Sequence, residues 1–169
     1  MVEEMEPLMQ SPMTPRTYRI QKIIRETHDT FSLDVAPKDG SGLISFQPGQ
    51  FNMLYAFGVG ETPISISGPK PGTQGMIHTI REVGTVTRGL HRLKKDQTIG
   101  LRGPFGSAWP ITESKGQDII IMAGGIGLAP LRPALYALLA QRDQFGEIAL
   151  LYGVRKPEDL LFTKEFEAW

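Results

Sequence analysis

The hydrophobic repeat changes partway along this chain, and that change limits the available folds more than any other feature. From residue 17 to residue 104 apolar side chains recur at every second position, in short runs cut by turn residues. Phe31, Leu33 and Val35 alternate with Ser32 and Asp34; Phe51, Met53, Tyr55 and Phe57 alternate with Asn52, Leu54 and Ala56; Ile64 and Ile66 alternate with Ser65 and Ser67. A period of two places neighbouring side chains on opposite faces of a sheet. Gly and Pro clusters bound six such runs, at residues 19–25, 30–36, 50–57, 62–67, 76–83 and 98–102. Six short strands in under a hundred residues predict a small closed Greek-key barrel, because closure removes exposed sheet edges. A short helix is predicted over residues 87–93, across one end.

After residue 114 the order becomes an apolar run at 119–123, a glycine cluster, a helical stretch at 128–142, a second run at 148–152 and a helical stretch at 157–167. That is β-α-β-α, the connection that right-handed parallel crossovers use. Two parallel strands do not make a sheet covered on both faces, and about 55 residues bury little surface. The expectation is a barrel at residues 16–113 followed, at 114–169, by an incomplete Rossmann-like α/β half-domain that stops before its sheet is finished. Residues 1–15, rich in Met and Pro, read as a disordered tail.

Composition narrows the function. Lys and Arg (18) balance Asp and Glu (18), which gives no electrostatic footprint for nucleic acid or an anionic membrane. The absence of cysteine removes thiol nucleophiles, disulfides and any iron–sulfur cluster held by these residues. The longest strongly apolar uncharged stretch, residues 119–131, is shorter than the ~20 residues of a membrane span. The acidic start, without Lys or Arg before Arg16, does not read as a secretory signal, so a cytoplasmic location is expected. His28, His78 and His91 are scattered without metal-ligand spacing, and no metal site is expected.

The segment Met122-Ala123-Gly124-Gly125-Ile126-Gly127-Leu128-Ala129-Pro130 lies between a predicted strand and a predicted helix. Glycines let the backbone turn sharply and approach a ligand, and the amides opening a helix attract phosphate. A plain strand-to-helix turn that binds nothing is the alternative. The spacing is related to the dinucleotide fingerprint, with Pro130 at the third small position. No Lys-Ser/Thr follows the glycines, which disfavours a nucleoside triphosphatase loop. The second strand ends in Tyr152-Gly153-Val154-Arg155, without the acid that would bind a ribose.

Across the barrel run Pro48-Gly49-Gln50-Phe51, Thr62-Pro63-Ile64-Ser65-Ile66-Ser67, His78 to Thr87 and Gly103-Pro104-Phe105-Gly106. In this order, with the Gly-Gly-x-Gly-x-Ala-Pro turn behind them, they resemble the ferredoxin–NADP reductase superfamily over almost the whole chain. The segments Pro-Ile-Ser-Ile-Ser, Ile-Arg-x-Val-Gly-x-Val-Thr and Tyr-Gly-Val-Arg-Lys-Pro-Glu-Asp-Leu-Leu-Phe are most similar to the diaphorase (gamma) subunits of cytoplasmic NiFe sulfhydrogenases. One of the subunits of anaerobic sulfite reductase and the electron-transfer subunit of dihydroorotate dehydrogenase are similar too.

The resemblance implies an FAD-containing electron-transfer subunit that passes electrons between NAD(P)H and an iron–sulfur, hydrogenase or reductase partner. It implies that Pro63, Ile64, Ser65 and Ile66 line the isoalloxazine and ribityl chain, that Thr79, Ile80 and Arg81 contact the flavin from the next strand, and that Gly84, Val86 and Thr87 hold the pyrophosphate. Gly124, Gly125, Gly127, Leu128, Ala129, Pro130, Gly153 and Arg155 are the implied nicotinamide-nucleotide residues. Relatives continue into further strands and a cysteine-rich tail holding a two-iron cluster, expected only in a longer form of such a chain. Thr62, after Glu61, occupies the position of an arginine in many relatives, so a cation on the FAD phosphates is missing; Arg81 and Arg88 are the candidates to replace it. The same Thr62 favours the hydrogenase or sulfite-reductase branch over the dihydroorotate-linked one. An ordinary half-buried hairpin is the structural alternative for the barrel residues. A docking module that no longer binds flavin is the functional one.

Overall fold

The structure is a computed structural model that describes residues 13–68 and 75–169. The expected tail therefore falls mostly outside the described residues. Six strands, β1 (Arg16–Arg25), β2 (Thr30–Pro37), β3 (Phe51–Ala56), β4 (Gly60–Gly68), β5 (Met76–Arg81) and β6 (Thr98–Phe105), close into a barrel in the order β1-β2-β5-β4-β3-β6. Every pairing is antiparallel, and the crossing connections from β2 to β3 and from β5 to β6 give the Greek key. The inward positions of the alternating runs fill the interior: Phe31, Leu33, Val35, Leu54, Ile66, Ile80 and Leu101 are essentially inaccessible. Truncating one of them, such as Leu54 to Ala, costs about 2–5 kcal/mol through lost burial and a residual cavity.

Helix α1 (Thr85–His91) closes one end, with Leu90 driven into the same core. It begins two residues earlier than the periodicity predicts because Thr87 caps it from inside. The Thr87 Oγ1 accepts the Val83 and Gly84 amides at 3.0 and 2.9 Å and donates to the Gly84 carbonyl at 3.0 Å. Strands β1 and β6 are longer than expected: the added start of β1 pairs with β6, Arg16 opposite Leu101, and the added end of β6 reaches β3, Phe105 opposite Phe51.

The second part pairs β7 (Ile119–Gly124) with β8 (Ile148–Gly153) in parallel, joined by helix α2 (Leu128–Leu139). Ile119, Ile121, Ile148 and Leu150 face α2, whereas Ile120, Met122 and Leu151 on the opposite face are exposed. Helix α2 ends three residues before the expected boundary, and Arg142–Gln144 forms a separate 3-10 turn. The expected helix at 157–167 is absent. Short 3-10 turns at Pro157–Asp159 and Thr163–Ala168 flank Phe162, whose φ of 58° is left-handed. With Phe162 in this backbone, Leu161 and Phe162 both turn inward and pack with Leu128 and Ala129. No helix among the described residues is long and apolar enough to cross a membrane.

Candidate functional site

Strand β4 carries the densest set of predicted contacts. Glu61 and Pro63 are exposed and Ser65 is half-buried, while Ile64 packs on the core and Ile66 lies within it. Ile66 therefore does not present its side chain to a ligand; only its backbone lies along the strip. Ser67, two residues after Ser65, offers no donor to a ligand. The register shifts between Ile66 and Gly68, and Ser67 is fully buried with its Oγ shared between the Ile77 carbonyl at 3.2 Å and Thr79 at 2.8 Å.

Strand β5 turns more of its predicted residues inward. Ile80 belongs to the barrel core, and Thr79 spends its hydroxyl on Ser32 and Ser67, each at 2.8 Å. Val86 likewise packs on the core, and the Thr87 hydroxyl is consumed by its cap together with the Val83 and Gly84 amides, so the later main-chain amides of this turn and the exposed Thr85 hydroxyl are left to meet a phosphate. Pro63, Val83 and Thr85 lie exposed, leaving these surfaces open.

Behind the strip sits His78, fully buried. Its Nδ1–H donates to the Ser65 carbonyl at 3.1 Å and its Nε2 accepts from the Asn52 amide at 3.2 Å, a pattern only the neutral ring can make. Burial, against the pull of hydrogen bonds to the Ser65 and Ile64 main chain, brings its pKa down to about 4. The sequence gives no sign of this role, because an imidazole on an alternating strand reads the same inside or out.

Among the described residues, the cation that reaches Glu61, next to Thr62, is already engaged. Arg102, on β6, meets Glu61 through both carboxylate oxygens, Nη2 to Oε1 at 2.5 Å and Nε to Oε2 at 2.9 Å. Its hydrogen bonds hold the Glu61 carboxyl below the usual range. Arg81 is bound as well, its Nε donating to Asp29 Oδ2 at 2.6 Å. Asp29 also accepts from Thr27 and Thr30; burial opposes its ionisation, but these three donors take its pKa down to about 2. Arg88 is exposed on α1.

Arg81 faces a different neighbour from the one expected. With Thr27, Asp29 and Thr30 it forms the barrel wall of a cleft of about 410 Å³, whose other wall is Gly124, Gly125, Ile126, Gly153, Val154, Arg155, Asp159 and Leu161. The cleft thus gathers Gly124, Gly125, Gly153 and Arg155, the predicted nucleotide residues at the carboxyl ends of β7 and β8, and adds Arg81 from the barrel. A Cβ on Gly124, Gly125 or Gly153 would meet no atom within 4 Å, so these main-chain atoms lie open to a ligand. Gly125 has a φ of 51°, which glycine adopts without strain. The Tyr152 hydroxyl supports this turn, donating to the Gly125 carbonyl at 3.1 Å and accepting the Leu161 amide at 3.3 Å.

Leu128, Ala129 and Pro130 do not share the cleft. Leu128 and Ala129 are buried against Leu161 and Phe162, and the Pro130 carbonyl accepts the Trp109 indole at 3.4 Å. Gly127 and Pro130 line an apolar groove with Trp109, Ile120 and Met122 on the other side of α2. No group of three or more His, Cys, Asp or Glu positioned for a metal occurs among the described residues.

This arrangement agrees with the chain's relatives. The family described as oxidoreductase NAD-binding domain matches residues 121–169. The gamma subunit of sulfhydrogenase 1 from Pyrococcus furiosus is 42% identical over 73% of this chain and 42% of its own length. A probable dihydroorotate dehydrogenase B (NAD(+)) electron-transfer subunit from Methanocaldococcus jannaschii is 36% identical over 90% of this chain and 53% of its own. Ferredoxin-NADP+ reductase from Plasmodium falciparum superposes with a TM-score of 0.75 at 20% identity, over 91% of this chain and 64% of that one. The chain spans about half the length of the curated relatives it matches. A closed Greek-key barrel, a glycine turn opening α2 and the similarity to these relatives fit the ferredoxin–NADP reductase superfamily.

Proposed function

We propose that the protein is a flavin-bearing electron-transfer subunit that binds FAD on its barrel, takes reducing equivalents from NAD(P)H and delivers them to an iron–sulfur, hydrogenase or reductase partner. The observation that carries this reading is the cleft in which the end of β5 meets the glycine ends of β7 and β8. In open parallel sheets, ligands gather at the carboxyl ends of the strands. A nucleotide lodged there would lie beside the barrel surface that the flavin is proposed to occupy.

FAD, when bound, supplies a ring system that takes a hydride and gives up electrons singly, so no protein acid or base needs to be assigned to the chemical step. The chain's own residues bind and orient. Pro63 offers an apolar surface, and the Ser65 hydroxyl offers a polar contact on the strip. His78 fixes the Ser65 carbonyl from behind, directing it away from any ligand. The amides that follow Gly84, from Thr85 onward, are the proposed pyrophosphate contacts. On the opposite wall, Gly124, Gly125 and Gly153 let a dinucleotide approach the backbone, with Arg81 and Arg155 as cations for its phosphates.

One assignment changes within this reading. Arg81 is proposed to serve the nicotinamide-nucleotide cleft rather than the flavin, because Asp29 holds it at the cleft wall. The missing acid after β8, with Arg155 in its place, leaves NADPH and NADH both as proposed donors.

The alternative of a docking module without flavin has a specific observation behind it, the Glu61–Arg102 pair, which commits Arg102 to a carboxylate next to Thr62. An absorption spectrum taken after incubation with FAD and desalting separates the two. Retained flavin bands that bleach on NAD(P)H addition support electron transfer. A colourless protein that takes up no FAD supports docking.

A further inference from the structure

Outside the cleft the least ordinary group is Arg132, a charged side chain 5% exposed in the first half of α2. Its Nη1 donates to the Ser67 carbonyl of β4 at 3.0 Å, crossing from the α/β part to the barrel. Its Nη2 donates to Glu165 Oε1 at 2.5 Å, and its Nε is shared between Glu165 Oε2 at 3.2 Å and the Tyr136 hydroxyl at 2.9 Å. The Tyr136 hydroxyl donates to Glu165 in turn, and the Arg132 guanidinium lies 4.2 Å over the centre of the Phe162 ring. All three nitrogens of this guanidinium make hydrogen bonds and one face covers an aromatic ring, a geometry that a lysine's single ammonium cannot reproduce.

Its position gives this anchor a consequence. Arg132 follows Gly127, the last residue of the glycine turn, by five residues, about 7.5 Å along a helix axis. Ser67 follows Ser65 by two residues on β4, about 7 Å along a strand. One rigid path therefore runs from the nucleotide turn down α2, through Arg132 to Ser67, and up β4 to the flavin strip. We infer that Arg132 is a positioning residue whose bond to the Ser67 carbonyl sets the distance between the glycine turn and the β4 strip. Its bearing on hydride transfer rests on the function proposed above; its bearing on the separation of the two parts does not. Reacting atoms must come within about 3–3.5 Å, and a misplacement of about 1 Å can slow transfer about a hundredfold.

The chain lacks cysteine, so two introduced cysteines at exposed positions, Lys95→Cys on the barrel and Asp143→Cys after α2, can carry spin labels uniquely. Pulsed electron resonance on the full chain without cofactor is expected to give one narrow distance distribution, and Arg132→Lys a broadened or two-peaked one. Should Arg132→Lys fail to fold, Arg132→Met combined with Glu165→Met removes the cation without stranding a buried carboxylate and is expected to broaden the distribution in the same way. A distribution unchanged in the variants overturns the inference. In FAD-loaded protein, Arg132→Lys should keep its flavin content and its NADPH dissociation constant while flavin reduction slows about a hundredfold; an unchanged reduction rate would overturn the positioning role. If neither protein retains FAD, the proposed function fails, and the distance measurement decides the strut by itself.

Discussion

Lowering the pH from 7 to 4.5 should remove stability through one side chain, His78. In the folded chain its ring is neutral, buried and bonded on both nitrogens, with a pKa of about 4; in the unfolded chain it titrates near 6.5. The folded value is the lower, so the unfolded state takes up its proton first on acidification. The stabilisation from the neutral ring is present above about pH 6.5 and is lost as pH falls toward 4. Between pH 7 and 4.5 these two values correspond to about 2 kcal/mol, a large part of a small protein's margin. Asp29 does not contribute in this window, because its loss runs from its unfolded value of 3.8 down to about 2. Asp34, raised by burial, works in the opposite direction near the acid end. Urea unfolding at several pH values, compared between the natural chain and His78→Gln, measures the effect. The variant should be less stable at pH 7, since the Ser65 and Asn52 bonds are disturbed, and should show a flatter pH profile. Equal slopes in the two proteins, or a natural chain as stable at pH 4.5 as at pH 7, would refute the reasoning.

Other perturbations address the two binding surfaces. Thr62→Arg should tighten FAD about ten- to hundredfold, the equivalent of one charge-assisted hydrogen bond, as measured by flavin fluorescence quenching; unchanged affinity would remove Thr62 from the site. Gly125→Val should cost about 1–2 kcal/mol in urea unfolding, because a left-handed φ opposes a branched side chain although no atom lies near its Cβ, and it should weaken NAD(P)H in calorimetry. Arg81→Met should weaken NAD(P)H about tenfold, flatten the salt dependence of binding, and let the Asp29 carboxyl return toward 3.8 by NMR titration.

The barrel was legible because alternation reports directly which side chains face inward: Phe31, Leu33 and Val35 all lie in its core. The β-α-β order after residue 114 was legible for a similar reason, and the glycine cluster opens α2 where its spacing placed it. Sequence did less well where long-range packing decides. Leu161 and Phe162 read as part of a helix because nothing local shows that Leu128 and Ala129 wait to receive them. Thr79 and Thr87 read as ligand contacts because hydroxyls on a strand or helix end suit that task, yet each found a protein partner. Asp29, Arg132 and Glu165 carried no signal at all, since a charged residue ordinarily lies in solvent and only the approach of distant segments pairs Asp29 with Arg81 and Arg132 with Glu165.

Occupation of the barrel by FAD beside Pro63–Ser65 and Gly84–Thr87 is the central claim. Titrating the purified chain with FAD, while following both flavin fluorescence and backbone amide NMR shifts, tests this most directly. Saturable one-to-one quenching, with the largest shifts at Ser65, Gly84 and Thr85, is the predicted result. Fluorescence that stays that of free FAD, with those amides unmoved at millimolar flavin, would contradict it.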